Sequence, residues 1–392
     1  MKNNEVASLN PCAAETLGAA GMSGSRFGSV LCGSNMVVRV TPCSSVFKTD
    51  IPPSAAIAVA ASGRAVWHGR MALIPLEDNF ADVIGKAQRG WKIADAELCR
   101  RAEVSAADLA AVQAGRPIDA VLRRVARHLR LDPDALEDLA HGRWRPRPPV
   151  FPRGFAMFNT RYGDMAVNSC LVWDSRSRLA AAFDTGADCG AMLDVVAAER
   201  LEVSHIFLTH THEDHVADLA RLAAATGATV WASEREPAPH AGAKTFAENA
   251  HFHLGEIAVK TLLTSGHSPG QTTFFVTGLA WPLAVVGDSL FAGSIGGSAE
   301  HFAEQHGNDV RKILTLPRDT VLVCGHGPLT TLAEERRHNP FFARTPQAPK
   351  AEENAVQTKD EGTLPRGKMR VARAPRPIKG PTRFHRRRSE RD

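Results

Sequence analysis

No cysteine pairing is visible in this chain: seven cysteines are scattered through 392 residues without paired spacing. That excludes a disulfide framework and points to a reducing compartment. Long apolar runs are missing as well, and none approaches the ~20 residues needed to cross a bilayer core. The first residues lack the basic start and apolar core of a secretory signal. A cytoplasmic protein without membrane contact is the expectation. A general excess of positive charge is absent too. The net charge is +5, but residues 366–392 hold eleven Lys or Arg against two acidic residues. This local +9 leaves −4 for the remainder, so the basic character belongs to the tail and not to the body.

At 392 residues the chain exceeds the usual single-core size, and its 44% hydrophobic content is ample for buried cores. It divides into four segments. Residues 1–70 are rich in Ala, Ser and Gly with weak periodicity, and read as disordered or as an over-extended translation start. Residues 71–147 are helical, residues 148–343 mix strands and helices, and residues 344–392 form a basic tail expected to be disordered.

Within the second segment, Val83, Ile84 and Ala87 share one helix face. Short helices follow at 94–102, 106–114, 118–129 and 133–140, with Ser105 and Asp132 as helix starts. This spacing resembles the Cro/repressor-type helix-turn-helix, with Ser105–Gln113 as the recognition helix. Alanines dominate that helix and Asp108 would repel phosphate, whereas base readers are typically Arg, Lys, Asn or Gln. A retained fold used for packing or protein contacts is therefore favoured over operator binding. The basic tail is a second place where nucleic acid could be held, with strong salt sensitivity. The stretch Arg143–Pro152 (RWRPRPPVFP) reads as a semi-rigid linker.

The third segment carries the chemistry. Thr209-His210-Thr211-His212-Glu213-Asp214-His215 follows the apolar run Ile206-Phe207-Leu208 and packs four metal-ligand side chains into six residues. Histidine nitrogens and carboxylate oxygens suit zinc, and iron or manganese equally well in kind. Histidines two apart in extended chain point to one side, and a helix at 216–225 follows. Three further candidates each sit at the end of a strand-like run. His267 follows Ile257–Leu263, Asp288 follows Leu283–Val286, and His326 follows Val321–Cys324. Glycines beside each let the backbone turn sharply and bring the side chains to a shared rim. His240, His251, His253, His301, His306 and His338 read as ordinary structural or solvated histidines. Cys324 reads as core, and neither Ser268 nor Ser289 has an evident base partner.

These residues resemble the metallo-β-lactamase superfamily signature, His-x-His-x-Asp-His followed by separated His, Asp and His. The phrases Gly266–Gly270 (GHSPG), Gly287–Gly297 (GDSLFAGSIGG) and Gly325–Phe341 (GHGPLTTLAEERRHNPF) resemble its glyoxalase II (hydroxyacylglutathione hydrolase) branch. The likeness spans about Phe155 to Phe342. It implies an α/β fold, the αββα sandwich, with the small all-α helix-turn-helix domain N-terminal to it. By motif, one divalent metal takes His210, His212 and His267, and a second takes Asp214, His215 and His326. Asp288 bridges the two, and zinc is the first choice of metal. Asp184, in Phe183-Asp184-Thr185-Gly186, resembles the family's early Asp-x-Gly turn and has either an orienting role behind a ligand histidine or a plain turn role.

The resemblance implies metal-activated hydrolysis, with a metal-bound hydroxide acting on a small-molecule thioester or related ester, and with Asp214 and Asp288 as the catalytic carboxylates. Two departures bear on the substrate. The helical domain that long-form relatives append for glutathione has no counterpart after Phe342. Gly297 stands where shorter relatives carry an arginine able to pair with a substrate carboxylate. Two other readings stay open: a mononuclear-iron persulfide dioxygenase, and a DNA-associated regulator with a ligand-sensing metallo-fold.

Overall fold

Burial along the strands separates edges from centres. Ile257–Leu263 alternates buried and half-buried residues, the signature of a strand covered fully on one face. Leu283–Gly287 and Val321–Cys324 are buried at every position, as strands sandwiched on both faces must be. The computed structural model describes residues 74–343 apart from 148, 150, 238, 239 and 299. The expectations for residues 1–70 and 344–392 fall outside the described residues.

Five helices come first: α1 (Phe80–Gly90), α2 (Asp95–Ala102), α3 (Ala106–Gln113), α4 (Asp119–His128) and α5 (Pro133–Ala140). Ser105 caps α3 by accepting from Asp108 N, and Asp132 caps α5 by accepting from Asp134 N and Ala135 N. The first sheet runs in chain order: β1 (Phe155–Tyr162), β2 (Met165–Trp173), β3 (Leu179–Phe183), β4 (Glu202–Phe207), β5 (Thr229–Ser233) and β6 (Lys244–Phe246). Its β1–β2–β3 part is antiparallel and its β3–β4–β5–β6 part is parallel. Helix α6 (Gly190–Glu199) makes the crossover from β3, while α7 (Glu213–Val216) and α8 (Leu219–Thr226) make the crossover from β4.

The second sheet contains β7 (His251–Leu254), β8 (Ile257–Leu263), β9 (Thr272–Thr277), β10 (Leu283–Gly287), β13 (Val321–Cys324) and β14 (Thr330–Thr331), in the order 14-13-10-9-8-7. Between β10 and β13 the chain forms the short ribbon β11 (Leu290–Phe291) and β12 (Ser294–Ile295), then helix α9 (Phe302–Asn308). Helix α10 (Leu332–His338) follows β14.

Three apolar cores stack through these layers. Phe183, Phe207 and Phe274 meet between the two sheets with ring centroids 5.2–5.4 Å apart. Met192, Val195, Leu219 and Leu222 of the crossover helices cover the outer face of the first sheet. The third core covers the outer face of the second sheet, where Ala284, Val286 and Leu322 meet Phe302, Leu332 and Phe342. The order helix, sheet, sheet, helix is the αββα sandwich.

That third core also contains Val83, Ile84, Leu98, Leu109, Val112, Leu122 and Leu136, so α1–α5 pack into the outer helical layer. Trp91 meets Phe302 edge-on at 5.0 Å, and Asp132 N donates to Pro340 O at 2.7 Å. Gln113 closes α3, the helix compared above with a recognition helix. Its Nε2 donates to Gln88 Oε1 and Asp95 Oδ1 within the helical layer. The linker reading of residues 143–152 needs correcting at its start: Trp144 is buried, donates to Glu334 and stacks on His338 at 5.3 Å.

Other boundaries shift for local reasons. The helix expected over 216–225 is two helices, because Asp218 is held outside by Cys189 N donating to its carboxylate. Asp214 and His215 therefore ride on α7 itself. Helix α9 continues into a π-helical end, Asp309–Ile313. Among the described residues, no helix is long and apolar enough to cross a membrane.

Two outcomes follow from this packing. A Cβ on Gly90 would stand 2.2 Å from the Phe302 ring, which is itself buried. Gly90→Ala should therefore destabilise the protein by about 1–3 kcal/mol, read as a lower urea midpoint. Burial pushes the Glu335 carboxyl up to about 7, against hydrogen bonds from Thr330 Oγ1, Gly293 N and Asn339 Nδ2 that favour the anion. The folded chain then holds a proton that the unfolded chain releases near 4.5. The resulting stabilisation is complete below pH 4.5 and is lost as pH rises through 7, a change on the order of 3 kcal/mol. Urea midpoints compared at pH 5 and pH 8 should fall for the wild type and stay flatter for Glu335→Gln.

Candidate metal centre

Strand β4 ends in buried apolar residues, and the chain continues through Leu208 and Thr209 into the histidine loop. His210 is fully buried, His212 is exposed, and α7 then turns Asp214 and His215 inward. His210 Nε2 lies 3.0 Å from His212 Nδ1, which lies 3.0 Å from His267 Nε2. His267 comes from the loop between β8 and β9. Asp288 follows the irregular step at Val285/Gly287 on β10, and His326 follows β13.

The remaining candidates gather beside this trio. His326 Nε2 is 3.3 Å from Asp214 Oδ2, and His215 Nε2 is 3.6 Å from the same oxygen. Asp288 reaches both sets: Oδ2 is 3.5 Å from His267 Nε2 and 3.4 Å from His326 Nε2, while Oδ1 is 3.3 Å from His215 Nε2. All seven side chains singled out in the sequence thus converge. Three groupings within 4.8 Å emerge, His210/His212/His267, His210/His215/Asp288 and Asp214/His215/His326. The six other histidines named above stand outside these groupings.

The donor set fits divalent cations on this structure's own terms. Buried His215 Nε2 and Asp288 Oδ1 face each other at 3.3 Å and have no other hydrogen-bond partner, a costly state for groups away from water. Tetrahedral zinc with bonds of 2.0–2.1 Å sets neighbouring ligands about 3.3 Å apart, close to the nitrogen spacings here. The far side of each ring is already occupied. His326 Nδ1 donates to Ala166 O at 2.7 Å, and His267 Nδ1 to Gly297 O at 2.8 Å. His215 Nδ1 lies 2.9 Å from Asp184 Oδ2. Each such contact aims Nε2 at the centre.

Asp184 does more than close a turn. It is buried at φ +53°, and also accepts from Thr209 N and Thr209 Oγ1, both at 2.8 Å. Thr209 Oγ1 in turn lies 3.1 Å from His210 Nδ1.

Electrostatics point the same way. Burial pushes His210 well below the ordinary histidine range, with His215 adding to the effect, and burial also lowers His267. Neutral imidazoles of this kind are what a metal requires. At His215 burial opposes a charge, but Asp288 and Asp184 outweigh it and raise the group to about 10. At His326 burial is likewise outweighed by hydrogen bonds to Asp214 and Asp288, which raise it to about 11. Burial would raise Asp288, but His215 and His326 hold it well below the carboxylate range. Two buried carboxylates thus draw positive charge onto whatever stands between them.

Two contributions escaped the sequence reading. Asn168 is a polar residue in the apolar run of β2. Its Nδ2 donates to Cys324 O and Gly327 O and so pins the His326 loop. Phe291 stands edge-on to His326 at 5.6 Å under the Lys86 ammonium of α1, 4.8 Å from the ring centre. A polar residue amid an apolar strand was a signal for the first; nothing in the sequence marked the second. The serines are spoken for: Ser268 Oγ donates to Glu236 and Ser289 Oγ to Thr264. Cys324 is buried, and burial pushes its thiol well up.

Comparison with known proteins supplies relatives. The family described as the metallo-beta-lactamase superfamily matches residues 162–326. An uncharacterized protein of Aquifex aeolicus is 29% identical over 205 residues, covering 46% of this chain and 93% of that protein. A hydroxyacylglutathione hydrolase of Pseudomonas entomophila is 30% identical over 158 residues, covering 40% of this chain and 60% of that protein. The corresponding protein of Acidiphilium cryptum is 31% identical over 188 residues, covering 47% of this chain and 74% of that protein.

Gly325 gives a direct check on the cage. A Cβ there would stand 2.0 Å from Asp288 Oδ1 and 2.8 Å from His215 Cε1. Gly325→Ala should displace the carboxylate and weaken divalent-metal binding about ten- to hundredfold, measured by chelator competition.

Proposed function

The chain belongs to the metallo-beta-lactamase superfamily, on its glyoxalase II-like side, and from that premise we propose that it hydrolyses a thioester of the hydroxyacylglutathione type or a related ester. It is a hydrolase of that superfamily. The observation that carries the finer reading is the position of Asp288, whose two oxygens face both ligand groupings. Relatives named hydroxyacylglutathione hydrolase support the choice of a thioester.

His210, His212 and His267 would hold one divalent metal, and Asp214, His215 and His326 a second, with Asp288 shared. Zinc suits this nitrogen-rich set, and iron or manganese suits it in kind. Once bound, such a pair supplies Lewis acidity that acidifies water and polarises a carbonyl.

The chain's own groups do the rest. Asp184 and the carbonyls of Ala166 and Gly297 hold the imidazoles by their outer nitrogens, so the inner ones need no reorientation. Asp214 would accept the proton that the attacking water gives up. The water oxygen joins the acyl carbon, the carbon–sulfur bond breaks, and the thiol leaves with a proton. No serine or cysteine is required, in keeping with the structural engagement of Ser268, Ser289 and Cys324.

Gly297 bears on the carrier. A Cβ there would meet nothing within 4 Å, so the position faces open space and offers no cation for a substrate carboxylate. Gly297→Arg should lower KM for glutathione thioesters about two- to fivefold relative to uncharged thiol carriers.

The central test pairs metal analysis of the purified protein with a thioester panel. Two equivalents of divalent metal and turnover of thioesters are expected, with Asp288→Ala losing both occupancy and turnover. A single tightly held iron, oxygen consumption and no hydrolysis would replace this reading with the dioxygenase one.

A further inference from the structure

Glu236 lies on the turn after β5 and is no member of the ligand groupings. Its carboxylate accepts three hydrogen bonds from two separate loops. Thr211 Oγ1 donates to Oε2 at 2.6 Å, while Ser268 Oγ and Gly270 N donate to Oε1 at 2.5 and 2.7 Å. Thr211 stands between His210 and His212, and Ser268 directly follows His267. The two loops held by this one acid therefore carry all three nitrogen ligands of the first grouping. We infer that Glu236 is the positioning residue that sets the spacing of His210, His212 and His267, an inference that rests on the metal reading above.

The chemistry suits a clamp. An ionised carboxylate is acceptor-only and can take several donors at once, and such charge-assisted bonds are short and strong. The approach is close. A Cβ on Gly270 would stand 2.5 Å from Glu236 Cγ, so the second loop reaches the acid only because residue 270 is glycine. The turn that presents Glu236 is itself tied down, with Glu236 N donating to Ser233 O and Glu234 N to Phe246 O. The second grouping has other anchors, Asp184 behind His215 and Ala166 O behind His326. Loss of the clamp should therefore act on one metal and spare the other.

The test uses the full chain loaded with zinc or cobalt(II), with the two dissociation constants read by chelator competition and the cobalt sites read by visible absorption. Glu236→Ala should weaken one equivalent about ten- to hundredfold and alter its cobalt spectrum, leaving the other equivalent near wild type. Glu236→Gln should restore most of the affinity. Its carbonyl still accepts from Ser268 and Gly270, and its amide can donate to the Thr211 hydroxyl. Thr211→Val, which removes a single arm, should weaken the same equivalent by less, and decides the matter if Glu236→Ala fails to fold. Wild-type affinity at both sites in Glu236→Ala and Thr211→Val, or equal weakening of both sites, would overturn the clamp while leaving the dinuclear reading intact. A wild-type protein that takes up no divalent metal would overturn both.

Discussion

Seven ligand-type side chains held nose to nose impose the constraint on which the rest depends. Bare imidazole nitrogens 3.0 Å apart repel one another, and so do the carboxylates of Asp214 and Asp288 across His326. Such an arrangement persists only where the surrounding structure dictates it and where positive charge offsets it. The surroundings here are unusually well specified. Asp184, Thr209, Asn168 and the carbonyls of Ala166 and Gly297 fix ring directions from behind, and Gly325 leaves the room that Asp288 fills.

The fold meets this demand by placing the candidate ligands on loops that leave two different sheets. His210 to His215 leave β4 of the first sheet, whereas His267, Asp288 and His326 leave β8, β10 and β13 of the second. The sheets are held together by the phenylalanine cluster between them, so the register of that core also sets the geometry of the cage. The five leading helices belong to the same construction. They share the core behind the second sheet, and Lys86 of α1 stands over Phe291, which in turn packs on His326. A segment whose spacing suggested a helix-turn-helix thus has a packing role, one of the two uses its sequence left open.

Much of this was legible from residues alone. The strands Ile257–Leu263 and Val321–Cys324 were bounded correctly because each is a run of β-favouring apolar residues that a glycine or polar turn interrupts. Helices α2 to α5 came out within two residues of their ends because Ser105 and Asp132-Pro133 mark starts chemically. Where a boundary moved, a tertiary contact was responsible: Cys189 N on Asp218 split one helix. Trp144 looked like part of a polar, proline-rich linker, yet Glu334 and His338, nearly two hundred residues later, bury it.

The sequence by itself determined the donor types and their order, because metal chemistry demands histidine and carboxylate and leaves a dense local pattern in His210–His215. Which donors share a grouping, and which groups stand behind them, was decided by tertiary structure alone. Asp184, Asn168 and Glu236 act on partners 25 to 159 residues away. Hydrogen bonds at such separations depend on how two sheets pack, and no local spacing encodes them.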